Sequence, residues 1–252
     1  MDKDNGLQNV SRSYRSLHKA KDLHYFNISW KETDLAIGVD MESYHDGLLS
    51  LCKQEVRRLR GDLETYISLH PDFRTSFEPL TLLPGAPLLA VIMARAAMQA
   101  AVGPMAAVAG ALAEAVGHKL KRQVSEVVVE NGGDLYIDSS RERLVSVFAG
   151  RSKFSHKIAI KVLPAESPLG ICTSSGTVGP SISLGKADAV VIKGRNAALA
   201  DAVATGAANR IQTEKDLLRA VEYVKTIKGI TGILAIKDDR MAAWGNIEIV
   251  PI

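Results

Sequence analysis

The stretch Val124 to Ile137, VSEVVVENGGDLYI, indicates two neighbouring strands joined by a tight turn. Val124 to Val129 is rich in β-branched residues, which favour strands, and Leu135 begins the return strand. Asn131-Gly132-Gly133-Asp134 lies between them, and Asn-Gly is typical of hairpin turns because it adopts the left-handed backbone that such turns require. The sequence therefore predicts a hairpin in the middle of the chain.

The regions on either side of this hairpin contain helices and strands in blocks. Upstream, the sequence predicts a hairpin over Tyr25 to Val39, a helix over Glu42 to Leu69, and two apolar, Ala-rich helices over Leu88 to Ala101 and Met105 to Lys119, broken at Gly103-Pro104. Downstream, it predicts two helices: one over Ala197 to Ile211, capped by Asn196, and one from the Thr213/Asp216 capping box to Lys228. It predicts a Gly/Ser/Thr loop over Gly170 to Gly185. The predicted downstream strands are Leu144 to Phe148, Ile158 to Val162, Ala187 to Ile192, Gly232 to Ile236, Met241 to Trp244 and Ile247 to Val250.

Elements in blocks, rather than in strict alternation, favour an α+β fold. We expect a loose N-terminal arm over residues 1–22 and a single domain over residues 23–252, with mostly antiparallel sheets packed against the Ala-rich helices. With 252 residues, 46% hydrophobic and 23% charged, the chain is long enough to bury a sizeable core.

The composition excludes several functional classes. A net charge of +3 and only 5% aromatic residues do not indicate a nucleic-acid-binding surface. Two cysteines without a CxxC pair exclude a zinc ribbon, and no H-E-x-x-H or G-x-S-x-G is present. Ala96 to Ala113 is the one membrane-like stretch; a buried helix pair is favoured, and membrane association is the alternative. The expected location is the cytoplasm.

Asp201 and Thr205 are the first candidate functional pair. They stand four residues apart, so their oxygens lie on one face of the predicted helix, about one turn apart. A carboxylate and a hydroxyl are hard oxygen ligands that suit Mg²⁺, with phosphates or waters in the other positions. The alternative is structural: the hydroxyl bonds back into its own helix, and the carboxylate lies near the helix N-terminus.

Two Gly-containing segments are candidates for binding a phosphate. Glycines in Glu130 to Asp134 let the backbone approach a ligand, although an ordinary hairpin turn needs the same residues. Cys172 to Thr177, CTSSGT, offers hydroxyls and unencumbered N–H groups, although a surface loop has a similar composition. Cys172 is either a nucleophile or sulfur carrier, or a small buried apolar residue.

Taken in this order, the motifs resemble the ApbE superfamily of flavin transferases: a Gly-Gly-Asp turn after a strand, a Ser-Gly-containing loop, and D-A-x-A-T on a helix. The run Gly103 to Gly110, GPMAAVAG, followed by Ala113-Glu114, most closely resembles an ApbE-like family of archaea and bacteria. The resemblance covers most of residues 25–252 and implies an ApbE-like fold.

The resemblance also implies a function and a set of site residues. ApbE proteins bind FAD with Mg²⁺, and many transfer the FMN part to a threonine hydroxyl of a protein, releasing AMP. It implies metal binding by Asp201, Thr205 and a backbone carbonyl at Val108, and flavin-nucleotide binding by Gly132, Gly133, Asp134, Ser174, Ser175 and Gly176. Two departures stand out: Ala109 replaces the lysine of the family's K-G pair, and the family's H-I-I-D-P-x-T-G segment is missing.

Three functions are therefore compatible with the sequence. The first is a Mg²⁺-dependent flavin or nucleotidyl transferase with FAD or FMN and a protein acceptor as partners. The second is a non-catalytic protein that binds a flavin or nucleotide. The third is a role in sulfur metabolism that uses Cys172. No catalytic residue is assigned, neither nucleic acid nor membrane is an expected partner, and a homodimer is an expectation for a domain with Ala-rich helices.

Overall fold

The computed structural model describes residues 20–176 and 184–252. The strands are β1 Leu23–Trp30, β2 Thr33–Asp40, β3 Val127–Asn131, β4 Asp134–Asp138, β5 Arg143–Ser146, β6 Ile158–Val162, β7 Leu169–Ser174, β8 Ala189–Gly194, β9 Ile230–Lys237, β10 Arg240–Gly245 and β11 Glu248–Pro251. The α-helices are α1 Gly47–Leu69, α2 Asp72–Thr75, α3 Leu88–Ala100, α4 Val108–Lys121, α5 Ala197–Ala208 and α6 Leu217–Lys225. Short 3₁₀ helices cover Pro104–Ala107, Pro164–Glu166 and Glu214–Asp216.

Two antiparallel sheets organise the described residues. The large sheet has eight strands in the order β1-β2-β3-β4-β7-β8-β9-β10, and the small sheet has three in the order β11-β6-β5. The helices cover one face of the large sheet, and the small sheet packs on the other face. The predicted α+β fold, with mostly antiparallel sheets packed against Ala-rich helices, is confirmed.

Strand β7 shows how the sequence alternates between these two faces. Leu169 and Ile171 pack toward the small sheet, whereas Cys172 belongs to the core under the helices. A Cβ atom on Gly170 would lie 2.4 Å from Cα of Ala197, so only glycine lets α5 approach this strand so closely. Small residues at such contacts allow helix and sheet to pack closely, which explains the high Ala and low aromatic content.

The structure corrects the predicted loop over Gly170 to Gly185. Residues up to Ser174 form β7, which pairs with β4 and β8 inside the large sheet. Its small residues are needed for the close approach of α5 rather than for a flexible turn. Residues 177–183 of that predicted loop, and residues 1–19 of the predicted arm, lie outside the described part of the chain. Asp22, at the end of the arm, pairs with Arg143 at 2.9 Å.

The boundaries of several other elements also differ from the prediction. Helix α1 begins at Gly47 rather than Glu42, because Ser43 N donates to Asp40 and the Tyr44 ring stacks on His24, which holds this segment as a turn. The helix predicted to reach Ile211 ends at Ala208. Among the described residues, no single helix meets the length and apolarity needed to cross a membrane. The pair Leu88–Ala100 and Pro104–Lys121, bent by 104°, meets them only together.

Candidate functional site

The candidate site lies on the helix-covered face of the large sheet, near the turn between β3 and β4. The first turn of α4 and the middle of α5 lie above it, and β7 passes beneath it. Residues from four separate parts of the chain meet here, so the site is assembled by tertiary contacts alone.

Asp201 on α5 is held by the start of α4. Its Oδ2 accepts a hydrogen bond from the Gly110 N–H at 2.9 Å, and the Ala109 N–H also donates to it. A helix N-terminus favours a negative charge because its first amides have no partner within the helix. A Cβ atom on Gly110 would lie 2.3 Å from the Ala197 carbonyl oxygen, so glycine permits this approach of α4 to α5.

Asp134, the first residue of β4, supplies a second carboxylate. It is buried, and it accepts a hydrogen bond from the Thr173 N–H at 3.2 Å, while the Cys172 side chain lies beside it. Burial raises the pKa of Asp134 to about 7. Burial and the nearby charge of Asp134 likewise raise the pKa of Asp201 well above its usual range. The two carboxylates are thus close enough for their charges to repel.

Neither carboxylate has a positively charged partner among residues 20–176 and 184–252. Buried carboxylates are normally paired with a cation or coordinate a metal, because an isolated buried charge is costly. Thr205 lies one turn beyond Asp201 on α5 and is half-buried. In the described residues no group of three or more His, Cys, Asp or Glu side chains could hold a metal. A cation held at Asp201 would therefore depend on phosphates or waters for several of its ligands, an arrangement that Mg²⁺ accepts.

Cys172 lies beneath Asp134 and α5. Its thiol is buried and donates to the Ala197 carbonyl oxygen at 3.3 Å. Burial and the charges of Asp134 and Asp201 raise the pKa of this thiol well above its usual range. Because the thiolate is the nucleophile, the geometry favours the small buried residue over the sulfur carrier.

The glycines of the β3–β4 turn are required by its backbone. Gly132 and Gly133 have φ angles of +68° and +112°, which residues with a side chain rarely adopt. A Cβ atom on Gly132 would meet open space, and Gly133 N donates to Glu130 Oε1 at 2.9 Å. The turn thus has the hairpin role that any Asn-Gly turn has, and it also leaves an uncovered backbone beside Asp134.

The end of β7 brings a further hydroxyl to this face. Ser174 is buried, and its Oγ has no hydrogen-bond partner within the described chain. Ser175 Oγ donates to the Ala187 carbonyl oxygen at 3.4 Å. Gly176 N donates to the same oxygen at 2.9 Å, and a Cβ atom there would lie 2.0 Å from the Gly185 carbonyl oxygen. Ser174 is therefore the residue of this segment whose polar group is left for a ligand.

Two residues that support the site were not assigned to it from the sequence. Asn131 Nδ2 donates to the Ala109 carbonyl oxygen at 3.1 Å, which ties the hairpin to the start of α4. Glu114 on α4 accepts from the N–H groups of Ala197 and Ala198 at 2.8 and 3.3 Å, so it caps α5. A lone glutamate within an Ala-rich helix was the available signal. Val108, the predicted carbonyl ligand, is the first residue of α4 and directly precedes Ala109 and Gly110, whose amides donate to Asp201.

Comparison with known proteins identifies the family. The model of the family described as "AbpE bacteria" matches residues 15–225. The chain belongs to this family. Its relatives include a "UPF0280 protein" of Methanospirillum hungatei, 39% identical over 226 residues that cover 89% of this chain and 88% of the relative. Another from Archaeoglobus fulgidus is 39% identical over 227 residues, covering 88% and 92%.

Solved structures with low sequence identity have the same fold. The apo form of the flavinyl transferase ApbE of Pseudomonas stutzeri is similar with a TM-score of 0.52 at 14% identity, over 88% of this chain and 94% of that one. The ApbE protein of Thermotoga maritima gives a TM-score of 0.54 at 12% identity, over 88% and 96%. The predicted resemblance to the ApbE superfamily is confirmed for the family and the fold.

Proposed function

We propose that the protein is a flavin transferase of the ApbE type. In this proposal it binds FAD together with Mg²⁺ and transfers the FMN part to a hydroxyl group of a protein acceptor. Its family membership and the flavinyl transferase with the same fold support this proposal. The observation that carries it is the pair of carboxylates, Asp134 and Asp201, whose pKa values are raised and which have no cationic partner among the described residues.

In this proposal the metal ligands are the Asp201 carboxylate, the Thr205 hydroxyl and the backbone carbonyl of Val108. Two amides at the start of α4 donate to Asp201, and a carboxylate can accept about four hydrogen bonds or ligands, so capacity remains for a cation. Bound Mg²⁺ would neutralise the pyrophosphate and stabilise charge on the leaving group.

The remaining site residues bind and orient the nucleotide. The uncovered backbone at Gly132 and Gly133 allows close approach of a phosphate or ribityl group, since no side chain intervenes. The Ser174 hydroxyl, buried without a partner in the described chain, donates to a ligand oxygen. Ser175 and Gly176 continue this edge, and Asp134, protonated below about pH 7, is able to donate as well as accept.

A second candidate function is flavin binding without transfer. Ala109 stands where the superfamily has a lysine, and among the described residues no histidine or lysine contacts Asp134 or Asp201. A transferase would therefore have to use one of these carboxylates as its general base, whereas a protein that only binds the nucleotide needs none.

Titration calorimetry with FAD, FMN and ADP, each with and without Mg²⁺, tests the binding step. We expect FAD to bind in a Mg²⁺-dependent manner and Asp201→Ala to weaken that binding by about tenfold or more. Asp40→Ala is the matched control, because Asp40 also accepts from backbone amides, at 2.9 Å, but lies at the far end of β2 from the Gly-Gly turn. Unchanged affinity in Asp201→Ala contradicts the proposed metal site.

Release of AMP from FAD separates the two candidate functions. In transfer, an acceptor oxygen forms a bond to the FMN phosphorus, the pyrophosphate P–O bond breaks, AMP leaves and the acceptor loses its proton. With water as the acceptor, the products are FMN and AMP, which chromatography resolves. Mg²⁺-dependent AMP release that Asp201→Ala abolishes supports the transferase. If FAD binds tightly but no AMP is released, with either water or threonine peptides as acceptors, the result favours a protein that binds the flavin without transferring it.

A further inference from the structure

A polar cavity lies on the opposite face of the large sheet from the proposed flavin site. It has a volume of about 230 Å³ and is partly open to solvent. It is formed where the 3₁₀ helix Pro164–Glu166 and the connection between β10 and β11 approach the ends of β7, β8 and β9. The residues around it are Ala165, Glu166, Leu169, Lys193, Gly194, Arg195, Thr231 and Asn246.

Lys193 is the central residue of this cavity. It lies on β8 two residues after Val191, which packs against the small sheet, so its side chain leaves the sheet on that face. Its side chain is 3% exposed, and its ammonium group pairs with Glu166. An ammonium has three N–H donors, and within the described residues Glu166 is the partner of one of them. The other two donors have no partner among the described residues, and Lys193 lines the cavity.

Both oxygens of Glu166 have partners within the fold. Its Oε1 accepts from Lys193 and from Asn246 Nδ2, the latter at 2.6 Å, and its Oε2 accepts from Leu163 N at 2.8 Å. The carboxylate thus fixes the ammonium and the Asn246 amide in place, and the second N–H of that amide remains as a donor. Glu166 serves as an orienting group.

Arg195 adds a second positive charge at the exposed side of the cavity. Its backbone N–H donates to the Gly229 carbonyl oxygen at 3.0 Å, which fixes the main chain. With two cations and one carboxylate, the cavity has an excess of one positive charge. A guanidinium and an ammonium that line the same cavity are typical of carboxylate and phosphate sites. Its volume is below the roughly 300–1,000 Å³ of pockets for drug-sized ligands, which points to a small anion.

We propose that this cavity is a binding site for a small oxyanion, a carboxylate or phosphate group, held by Lys193 and Arg195 with the Asn246 amide. Lys193 supplies the buried donors, and Arg195 closes the solvent side. The site is separate from the flavin site, because Asp134, Cys172 and Asp201 lie on the other face of the sheet. The proposal therefore stands or falls independently of flavin transfer.

Titration calorimetry with inorganic phosphate and with acetate, in EDTA to remove divalent metals, tests this proposal. We expect saturable binding of at least one anion, weakened about tenfold or more by Lys193→Met and by a smaller factor by Arg195→Gln. Tighter binding of phosphate indicates a phosphate ligand, and equal or tighter binding of acetate indicates a carboxylate. Lys237→Met is the matched control, since Lys237 is a largely buried lysine on β9 that pairs with Asp188 and Asp238 and does not line the cavity.

Two results overturn the proposal. One is that the unmodified protein binds neither anion, and the other is that the affinity survives both Lys193→Met and Arg195→Gln. If circular dichroism shows that Lys193→Met does not fold, the anion affinity of Arg195→Gln becomes the deciding measurement. The Arg195 side chain is exposed, so this substitution leaves the core intact. Mg²⁺-dependent FAD binding measured on the same variants should be unchanged, which separates this site from the flavin site.

Discussion

Replacing Gly110 with alanine should destabilise the protein and disturb the candidate metal site together. The new Cβ atom would lie 2.3 Å from the Ala197 carbonyl oxygen and 2.9 Å from Cβ of Asp201. The nearest of these atoms belongs to the backbone, so no side-chain rotation relieves the contact and α4 must move away from α5. Such overpacking costs about 1–3 kcal/mol, while removing a glycine from a helix returns about 0.5–1 kcal/mol. Because the 2.3 Å contact is with a backbone atom, the cost lies in the upper part of that range, and we expect a net loss of about 1–2 kcal/mol in the free energy of unfolding.

Gly61→Ala is the matched control for this change. Gly61 lies inside α1 and is exposed, and a Cβ atom there would meet nothing within 4 Å. The same chemical change should therefore stabilise the protein by about 0.5–1 kcal/mol, since helix propensity alone acts. The two substitutions are thus expected to have opposite signs.

Urea denaturation monitored by circular dichroism measures both effects. A loss of 1–2 kcal/mol corresponds to a melting temperature lower by about 2–8 °C in a chain of this size. Movement of α4 also lengthens the bond from Gly110 N to Asp201, now 2.9 Å, so Mg²⁺ affinity should fall in Gly110→Ala and not in Gly61→Ala. If Gly110→Ala is as stable as the unmodified protein, the close packing of α4 on α5 does not depend on glycine and the reasoning is refuted.

Three further predictions concern the buried groups of the site. Asp134 has a pKa of about 7 instead of 3.8, so between these pH values the native state holds a proton that the unfolded state has released. The free energy of unfolding should therefore fall as the pH rises from about 4 to about 7. In urea denaturation across this range, Asp134→Asn should make the fall smaller, and an unchanged slope would contradict the prediction. Both thiols, Cys52 and Cys172, are buried and have raised pKa values, so neither should react with iodoacetamide until denaturant is added. Rapid labelling of Cys172 in the native protein would instead support its role as a sulfur carrier. Ser174→Ala should raise the free energy of unfolding by about 1 kcal/mol, because it removes a buried hydroxyl that has no partner in the described chain. Calorimetry should show FAD affinity reduced by about three- to tenfold, and equal affinity would remove Ser174 from the site.

The local elements of this chain were predictable from the sequence. The hairpin β1–β2, the turn at Gly132-Gly133 and the N-cap at Asn196 follow from alternation and from residues that favour particular backbone angles. The Leu169–Ser174 segment was not predictable in this way. Its Gly, Ser and Thr residues are typical of loops. A central strand carries glycine here because α5 packs so closely that a Cβ atom on Gly170 would lie 2.4 Å from Cα of Ala197.

The sequence by itself determined the types of elements, the candidate residues Asp134, Asp201 and Thr205, and the membership of a recognisable family. Only the tertiary structure decided that Asp134 and Asp201 share one buried site and that Lys193 lines a cavity on the opposite face of the same sheet. The reason is physical: periodicity and capping act over a few residues, whereas the desolvation of a charge depends on strands and helices that are distant in the chain. Raised pKa values and unpaired donors therefore arise only when the whole fold is assembled.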